Sequence, residues 1–332
     1  MKVGLSFDLR SAYLAEGYSE EQVAEFDSDS TILALEGALR SLGHESVRIG
    51  HARELTRRLA AGERWDLVFN IAEGLSGRNR EAIVPCLLEL YGVPYTFSDA
   101  LVCATTLDKV VAKRLVKGDG IRTPRYAVVA SEADLAAVRL RYPLFAKPAC
   151  EGTGKGVDSR SRIENRAQLR EVCARLLARF KQPVLVEEYL PGREFTTGIL
   201  GTGARARVLG TMTLDIRSDA PASDYSYEVK EKCEEFVHYY AFEAGPLRDE
   251  IEAMALAAHR SLECRDTSRV DIRLDADGRP SFMELNPLPG LHPLHSDLPM
   301  IATQQGMAYE QLIGAIVESA MERVRSAGAS VN

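Results

Sequence analysis

Over the first hundred residues, short apolar runs alternate with amphipathic stretches, and this alternation is the feature that most narrows the fold. Lys2–Asp8 reads as a strand. Thr31–Leu42 reads as a helix: Ile32, Leu35, Leu39 and Leu42 recur at helical spacing, and Gly43 ends it. SVRIG and DLVFNIA are the next strands, and Arg80–Tyr91 is a helix stopped by Gly92 and Pro94. The pattern predicts an open parallel sheet with covering helices, so the fold class is α/β, at least at this end.

The remaining chain predicts two more units. From Asp99, TLDKVVAKRLVKGDG is a helix with a glycine stop, RYAVVAS and YPLFAKPA are strand-like, and ACEGTGKGV is a glycine-rich turn. Asn165–Phe180 is amphipathic, and VLVEEYL returns as a strand. REFTTGILG and RARVLGTMTLD follow, then a polar loop at Arg217–Tyr227, a long helix near Pro246–Leu262, two further strands, and a terminal helix over roughly Tyr309–Val324. A chain of 332 residues exceeds the usual size of one core. The expected division is 1–98, 99–189 and 190–332.

Charge and cysteine usage exclude several classes. A net charge of −7 argues against a general nucleic-acid or anionic-membrane surface. The six cysteines are scattered without a CxxC pair, which suits reduced thiols better than disulfides or structural zinc. MKVGLSFDLR has no apolar signal core, and no stretch approaches 18 uninterrupted apolar residues. The expectation is a soluble, cytoplasmic protein.

Three segments carry chemistry. In VDIRLDADGRPSFMELNPLPG, residues 270–290, DADG is a turn signal between two strands. Side chains two apart share a face, so Asp271 lies with Arg269 and Arg273, and Glu284 with Asn286. A hairpin brings Asp271 and Glu284 to one point with the Asn286 amide as a third oxygen, a donor set suited to magnesium. The alternative is an ordinary hairpin with charges on its solvated face. In LFAKPACEGTGKGV, residues 144–157, Lys147 precedes Gly152, Gly154 and Gly156, whose tight turn lets backbone N–H groups approach phosphate oxygens. The segment matches neither the Walker A nor the GxGxxG pattern. In VLVEEYLPGREF, residues 184–195, Glu187 and Glu188 are either exposed charges or contacts to an adenine edge, with Glu194 then placed for ribose.

In combination these segments resemble the D-alanine–D-alanine ligase branch of the ATP-grasp enzymes. The matching pieces are TLDKVVAKRLVKGDGIRTP, LFAKPACEGTGKGV, VLVEEYLPGREFTTGILG, YSYEVKEK and SRVDIRLDADGRPSFMELNPLPGL, in the family's order, with the likeness running from about Trp65 to the terminal helix. The resemblance implies an ATP-grasp fold: an N-terminal open parallel α/β domain, then two α+β domains clamping ATP. It implies that Lys109 and Lys147 neutralise phosphates beneath a loop of Gly152, Thr153, Gly154 and Gly156, with Lys230 reaching them from the other side. Glu187, Glu188 and the Leu190 backbone are then adenine contacts and Glu194 a ribose contact. Asp271, Glu284 and Asn286 hold two Mg2+ ions, while Arg269 and the Gly290 N–H stabilise an oxyanion. The implied activity is ATP-dependent joining of a carboxylate to an amine through an acyl phosphate, on small-molecule substrates, and a homodimer is compatible with the family.

The substrate end departs from the family pattern. FDLRSAYLAEGYSEEQVAEFDSDSTI lacks the family's glycine pair and following glutamate. Asp27 or Asp29 is either a substrate contact or a helix N-cap, and the cap is the favoured reading. In FNIAEGLSGRNREA, Glu73, Arg78 and Arg80 are substrate contacts or solvated charges. Thr153 replaces a serine, and Glu231 a tyrosine, of the group that closes the family's site. After Gly290 the loop LHPLHSDLP runs one residue longer, with Ser296 near the expected place of the second substrate's carboxylate. His292 and His295 read as loop or substrate-pocket residues in preference to a metal pair. These departures keep open a ligase of specialised metabolism, a non-catalytic nucleotide-binding module, and an ATP-grasp kinase.

Overall fold

The computed structural model describes residues 1–216 and 237–329, with backbone alone at 216 and 327–329. The polar loop expected at Arg217–Tyr227 lies outside the described residues, as do Lys230 and Glu231.

The described residues build three sheets. β1 (Lys2–Ser6), β2 (Glu45–Gly50) and β3 (Leu67–Asn70) form a parallel sheet in the order β2-β1-β3. β4 (Tyr126–Val129), β5 (Leu144–Pro148), β6 (Arg162–Ile163) and β7 (Val184–Glu188) form an antiparallel sheet ordered β4-β7-β5-β6. β8 (Glu194–Leu200), β9 (Arg207–Ile216), β10 (Val237–Ala241), β11 (Thr267–Leu274) and β12 (Pro280–Asn286) form a second antiparallel sheet ordered β10-β9-β8-β11-β12. The parallel first sheet and the antiparallel later ones match the α/β and α+β expectations.

Between β1 and β2 lie α1 (Arg10–Ala15) and α2 (Asp29–Ser41), and α3 (Ala52–Ala60) follows β2. The cap of α2 corrects the sequence reading. Neither Asp27 nor Asp29 is the N-cap; the Ser28 side chain accepts from the Thr31 N–H. A 3-10 turn over Arg80–Ala82 leads into α4 (Ile83–Leu90). The helix expected across TLDKVVAKRLVKGDG is α6 (Lys109–Gly118), and a further helix that the sequence reading left out, α5 (Ala100–Leu107), precedes it. Asp108 divides them, because its Oδ1 accepts from the N–H groups of Val110 and Val111 and so restarts the helix as a cap.

α7 (Arg166–Phe180) covers the four-stranded sheet, and α8 (Pro246–Ser261) covers the five-stranded one. α9 (Asp297–Gln304) precedes the last helix, α10 (Tyr309–Ala329), which runs past its expected end. The apolar face of α10, with Leu312, Ile313 and Ile316 buried, packs into the same core as Ile32, Leu35 and Leu39 of α2. The end of the chain therefore closes the core of its beginning. Buried Asp266 pins that closure: it accepts from the Phe97 N–H at 2.8 Å, Ser319 at 2.9 Å and Arg323 at 2.6 Å. Among the described residues no helix is long and apolar enough to cross a membrane. Cys86, Cys103, Cys150, Cys173 and Cys264 are free thiols.

Candidate active site

A cleft runs between the four-stranded and five-stranded sheets, lined by Lys109, Lys147, Lys155, Glu194, Asp271 and Glu284. Most of these residues come from strands, so backbone pairing sets their geometry. Asp271 on β11 is the cross-strand partner of Glu284 on β12, and Arg269 is the partner of Asn286. Facing Cβ atoms in such pairs lie about 4.5–5.5 Å apart. The pairing then slips. Ile272 faces Phe282, so Met283 is an extra residue and a β-bulge. The bulge breaks the alternation and turns both Met283 and Glu284 into the cleft.

Lysines alternate with the carboxylates of Glu284 and Glu187. Lys147 Nζ donates to Glu284 Oε2 at 3.2 Å, and Lys109 Nζ lies 3.6 Å from the same oxygen while donating to the Glu151 carbonyl at 2.5 Å. Lys147 also lies 3.9 Å from Glu187, and Lys113 lies 2.8 Å from it. Burial opposes the charge of Lys147, yet Glu284 and Glu187 outweigh burial and raise its pKa. At Lys113 the order reverses: burial dominates and lowers the pKa despite Glu187. The sequence reading missed Lys113. The only available signal was its place one turn after Lys109 on a helix face that otherwise buries valine and alanine.

The expected adenine contacts separate. Glu187 is buried beside Lys113 and Lys147. The Glu188 side chain turns away, accepting from the Arg141 N–H at 3.0 Å and pairing with Arg125 at 3.3 Å. It lines a second cleft that also takes in Leu190 and Tyr189. A side-chain role for Glu188 toward a nucleotide is therefore withdrawn: neighbouring residues of a strand point to opposite faces. Glu194 stays in the first cleft, 3.7 Å from Arg273.

Gly152–Gly156 form a turn beside Lys155 at the cleft wall, with positive φ at Thr153, Gly154 and Gly156. A Cβ at Gly156 would sit 2.7 Å from the Phe180 ring and 2.8 Å from Pro148, so only glycine fits. The loop is held from the N-terminal unit. Glu25 Oε1 accepts from the Gly152 N–H at 2.6 Å and lies 3.4 Å from Lys155 Nζ, while Oε2 binds Arg80. Nothing in the sequence around Glu25 announced this contact.

Beyond Glu25 lies an acidic region. Arg80 is buried and pairs with Glu25 and Glu81. Burial, then Glu81 and Glu25, push the Glu73 carboxyl well above its usual range. Burial likewise lifts Glu81 to about 7, with Arg80 opposing. Burial and the nearby Asp8 carry Asp27 to about 7. Glu73 and Arg80 are thus brought together; Arg78 is exposed and paired with Asp108 at 2.7 Å, at the wall of a cavity that Arg80 also lines.

Arg269 stands on the other side. Its guanidinium donates to Asp271 at 3.0 Å and Asp297 at 3.1 Å. Burial opposes its charge, but Asp271 and Asp297 hold its pKa above the ordinary value. Ser296 is adjacent to Gly290, where an added Cβ would come within 2.8 Å of Ser296 Oγ. The two histidines behave as loop residues. Their rings stack at 4.4 Å, and His292 Nδ1 accepts from the N–H groups of Leu294 and His295, leaving Nε2 to face Ser30 Oγ at 3.2 Å.

The donor set of Asp271, Glu284 and Asn286 is all oxygen, as a hard cation requires. Asn286 Oδ1 accepts from the Leu288 N–H at 2.9 Å and keeps its second lone pair. Among the described residues no cluster of three His, Cys, Asp or Glu side chains forms a metal site, so any cation here relies on the amide as its third protein ligand.

Residues 115–318 match the family profile described as D-ala D-ala ligase C-terminus. The chain belongs to the D-alanine–D-alanine ligase family. The enzymes of this family are ATP-dependent, ADP-forming ligases that join a carboxylate to an amine. Members named D-alanine–D-alanine ligase include one from Bordetella petrii, 35% identical over 277 residues, covering 82% of this chain and 81% of that protein. Another, from Xanthomonas axonopodis pv. citri, is 32% identical over 318 residues, covering 94% of this chain and 95% of the other. In three dimensions the chain superposes on the Bacillus anthracis D-alanine–D-alanine ligase complexed with ATP. The TM-score is 0.75 at 22% identity, with 99% of each chain covered, which establishes the ATP-grasp fold. Membership of the ligase family thus extends over both antiparallel sheets and the cleft between them.

Proposed function

We propose that this chain activates a substrate carboxylate with the terminal phosphoryl group of ATP and joins it to an amine, releasing ADP and phosphate. The observation that carries this reading is the cross-strand pair Asp271–Glu284, with Asn286 beside it and Lys109 and Lys147 within 3.6 Å of Glu284. In this reading residues 1–98 contribute to the substrate side, 99–189 the glycine loop, and 190–332 the acidic hairpin.

A carboxylate resists attack by an amine because its leaving group would be oxide. Phosphorylation replaces that leaving group with phosphate. Asp271, Glu284 and Asn286 would hold magnesium, which supplies charge neutralisation as the phosphates approach a second anion. Lys109 and Lys147, both buried, add fixed positive charge where phosphoryl oxygens gather. Lys155 and the loop from Gly152 to Gly156 cover the phosphates and exclude water, which would otherwise hydrolyse the acyl phosphate. Arg269 and the Gly290 N–H would stabilise the oxyanion formed when the amine attacks. Lys230 and Glu231 are assigned from the sequence alone.

The relatives' names point to D-alanine for both substrates. A second reading is a ligase joining a different amino acid or small acid, and Glu25, Arg80 and Glu73 favour it, because they stand where the family pattern is broken. The experiment is an ADP-release screen across D- and L-amino acids with product masses. D-alanine-dependent turnover giving the D,D-dipeptide selects the first reading, and an amide from other substrates alone selects the second. Phosphorylated product without amine incorporation, or no ATP turnover at all, rejects both.

A further inference from the structure

The carboxyl ends of β1, β2 and β3 open into a crevice of about 620 Å³. Open parallel sheets bind small molecules outside the carboxyl ends of their strands. One wall is α4, where Ile83, Val84 and Leu87 face the opening, and Ile83 is left 40% exposed. The other wall is the segment that departs from the family pattern. Tyr13 packs edge-on against Tyr18 at 5.5 Å and lies 6.0 Å from His51 at the start of α3.

This wall is fixed in place. The Leu9–Asp27 bridge closes the segment at its base, and Tyr13 donates to Asp8 at 2.7 Å. Glu21 pairs with Arg179 of α7, and Glu25 holds Gly152, so the segment is anchored to the unit that carries the glycine loop.

The crevice adjoins the site of reaction through one further cavity. Leu75, Ser76 and Arg80 line both it and a neighbouring cavity, and that cavity shares Glu151 with the phosphate cleft. A substrate with its carboxylate at the phosphates and its side chain extended past Glu151 and Arg80 would reach that volume. That volume falls in the range that holds ligands of about 300–1,000 Å³ and far exceeds a methyl group.

Resting on the ligase reading, we infer that this crevice is the side-chain pocket of the carboxylate-donating substrate, an amino acid with a bulky aromatic or branched apolar side chain. Burying such a side chain against Ile83, Leu87 and the tyrosine edges supplies discrimination that a methyl group does not.

The test uses the full chain with ATP and the D and L forms of alanine, leucine, phenylalanine and tyrosine as donors, in wild type and in Ile83→Trp, which fills the crevice without touching the phosphate cleft. Discrimination of about tenfold or more in kcat/KM is expected for one bulky donor over alanine. Ile83→Trp should abolish that preference by raising KM for the bulky donor about tenfold or more, while KM for ATP and the far-ultraviolet circular dichroism stay at wild-type values, a pattern that general unfolding does not produce. Alanine as the best wild-type donor, or an equal loss on every donor, overturns the proposal. If no amino acid yields an amide, the ligase reading fails by itself. Calorimetric titration with phenylalanine then decides the crevice: binding to wild type that is lost in Ile83→Trp upholds the pocket, and no binding to wild type overturns it.

Discussion

Glu25 and Gly152 lie 127 positions apart in sequence and share a 2.6 Å hydrogen bond. The same carboxylate faces Arg80 and Lys155, so it ties the glycine loop to the N-terminal unit. Burial raises its pKa, but Arg80, Lys155 and the Gly152 N–H outweigh burial and leave it lowered. A lowered carboxyl pKa contributes stability above the unfolded value of about 4.3 and loses it as pH falls through the folded value. Glu25→Gln should therefore lower Tm clearly at pH 7, with the difference shrinking toward pH ~3. An equal difference at both pH values would show that the ion pairs contribute nothing.

The pair Lys113–Glu187 is buried on both sides, at 2.8 Å. Lys113→Met leaves Glu187 with Lys147 alone, at 3.9 Å. Removing one member of a buried pair costs about 3–5 kcal/mol, while replacing both with apolar groups of similar volume is often neutral. Urea unfolding should show that loss for Lys113→Met and recovery of most of it in Lys113→Met with Glu187→Leu. An unchanged midpoint in the single variant would contradict the assignment.

Asp27 titrates near 7 because burial and Asp8 disfavour its charge. A raised carboxyl pKa means that the folded state binds the extra proton, so stability is greatest below the unfolded value of about 3.9 and declines as pH rises through about 7. Asp27→Asn cannot ionise. Its Tm advantage over wild type should grow between pH 4 and 7 and level off above. A constant offset across that range would rule out the buried charge as its origin.

Arg269 bridges Asp271 and Asp297, and the proposed function gives it the oxyanion to stabilise. Arg269→Ala should lower kcat by about a hundredfold or more, as loss of an oxyanion donor does. Glu284→Gln should impair magnesium-dependent turnover far more than Tm. A near-normal rate for Arg269→Ala, or an unfolded Glu284→Gln, would remove the corresponding role.

The strands and the Asp271–Glu284 pairing were legible because period-two alternation and a turn signal are local properties. The bulge at Met283 was not, since register belongs to two strands together and a single strand does not reveal it. Alternation did hold the correction at Glu188, because neighbours on β7 must face apart. The cap of α2 was misread because Asp27, Ser28 and Asp29 all have capping chemistry, and only backbone geometry selects Ser28. Glu25 left no trace, for Gly152 and Lys155 lie in another unit, Arg80 lies 55 positions away, and its own segment follows no motif. The substrate side was accordingly the least readable part, being assembled from residues distant in sequence.

Transfer of oxygen from substrate to phosphate tests the central claim most directly. With ATP, magnesium, an amine and a donor labelled with 18O in its carboxylate, an acyl phosphate mechanism places one labelled oxygen in each phosphate released alongside the amide. Unlabelled phosphate, with ATP still consumed, would contradict activation of a carboxylate at this site.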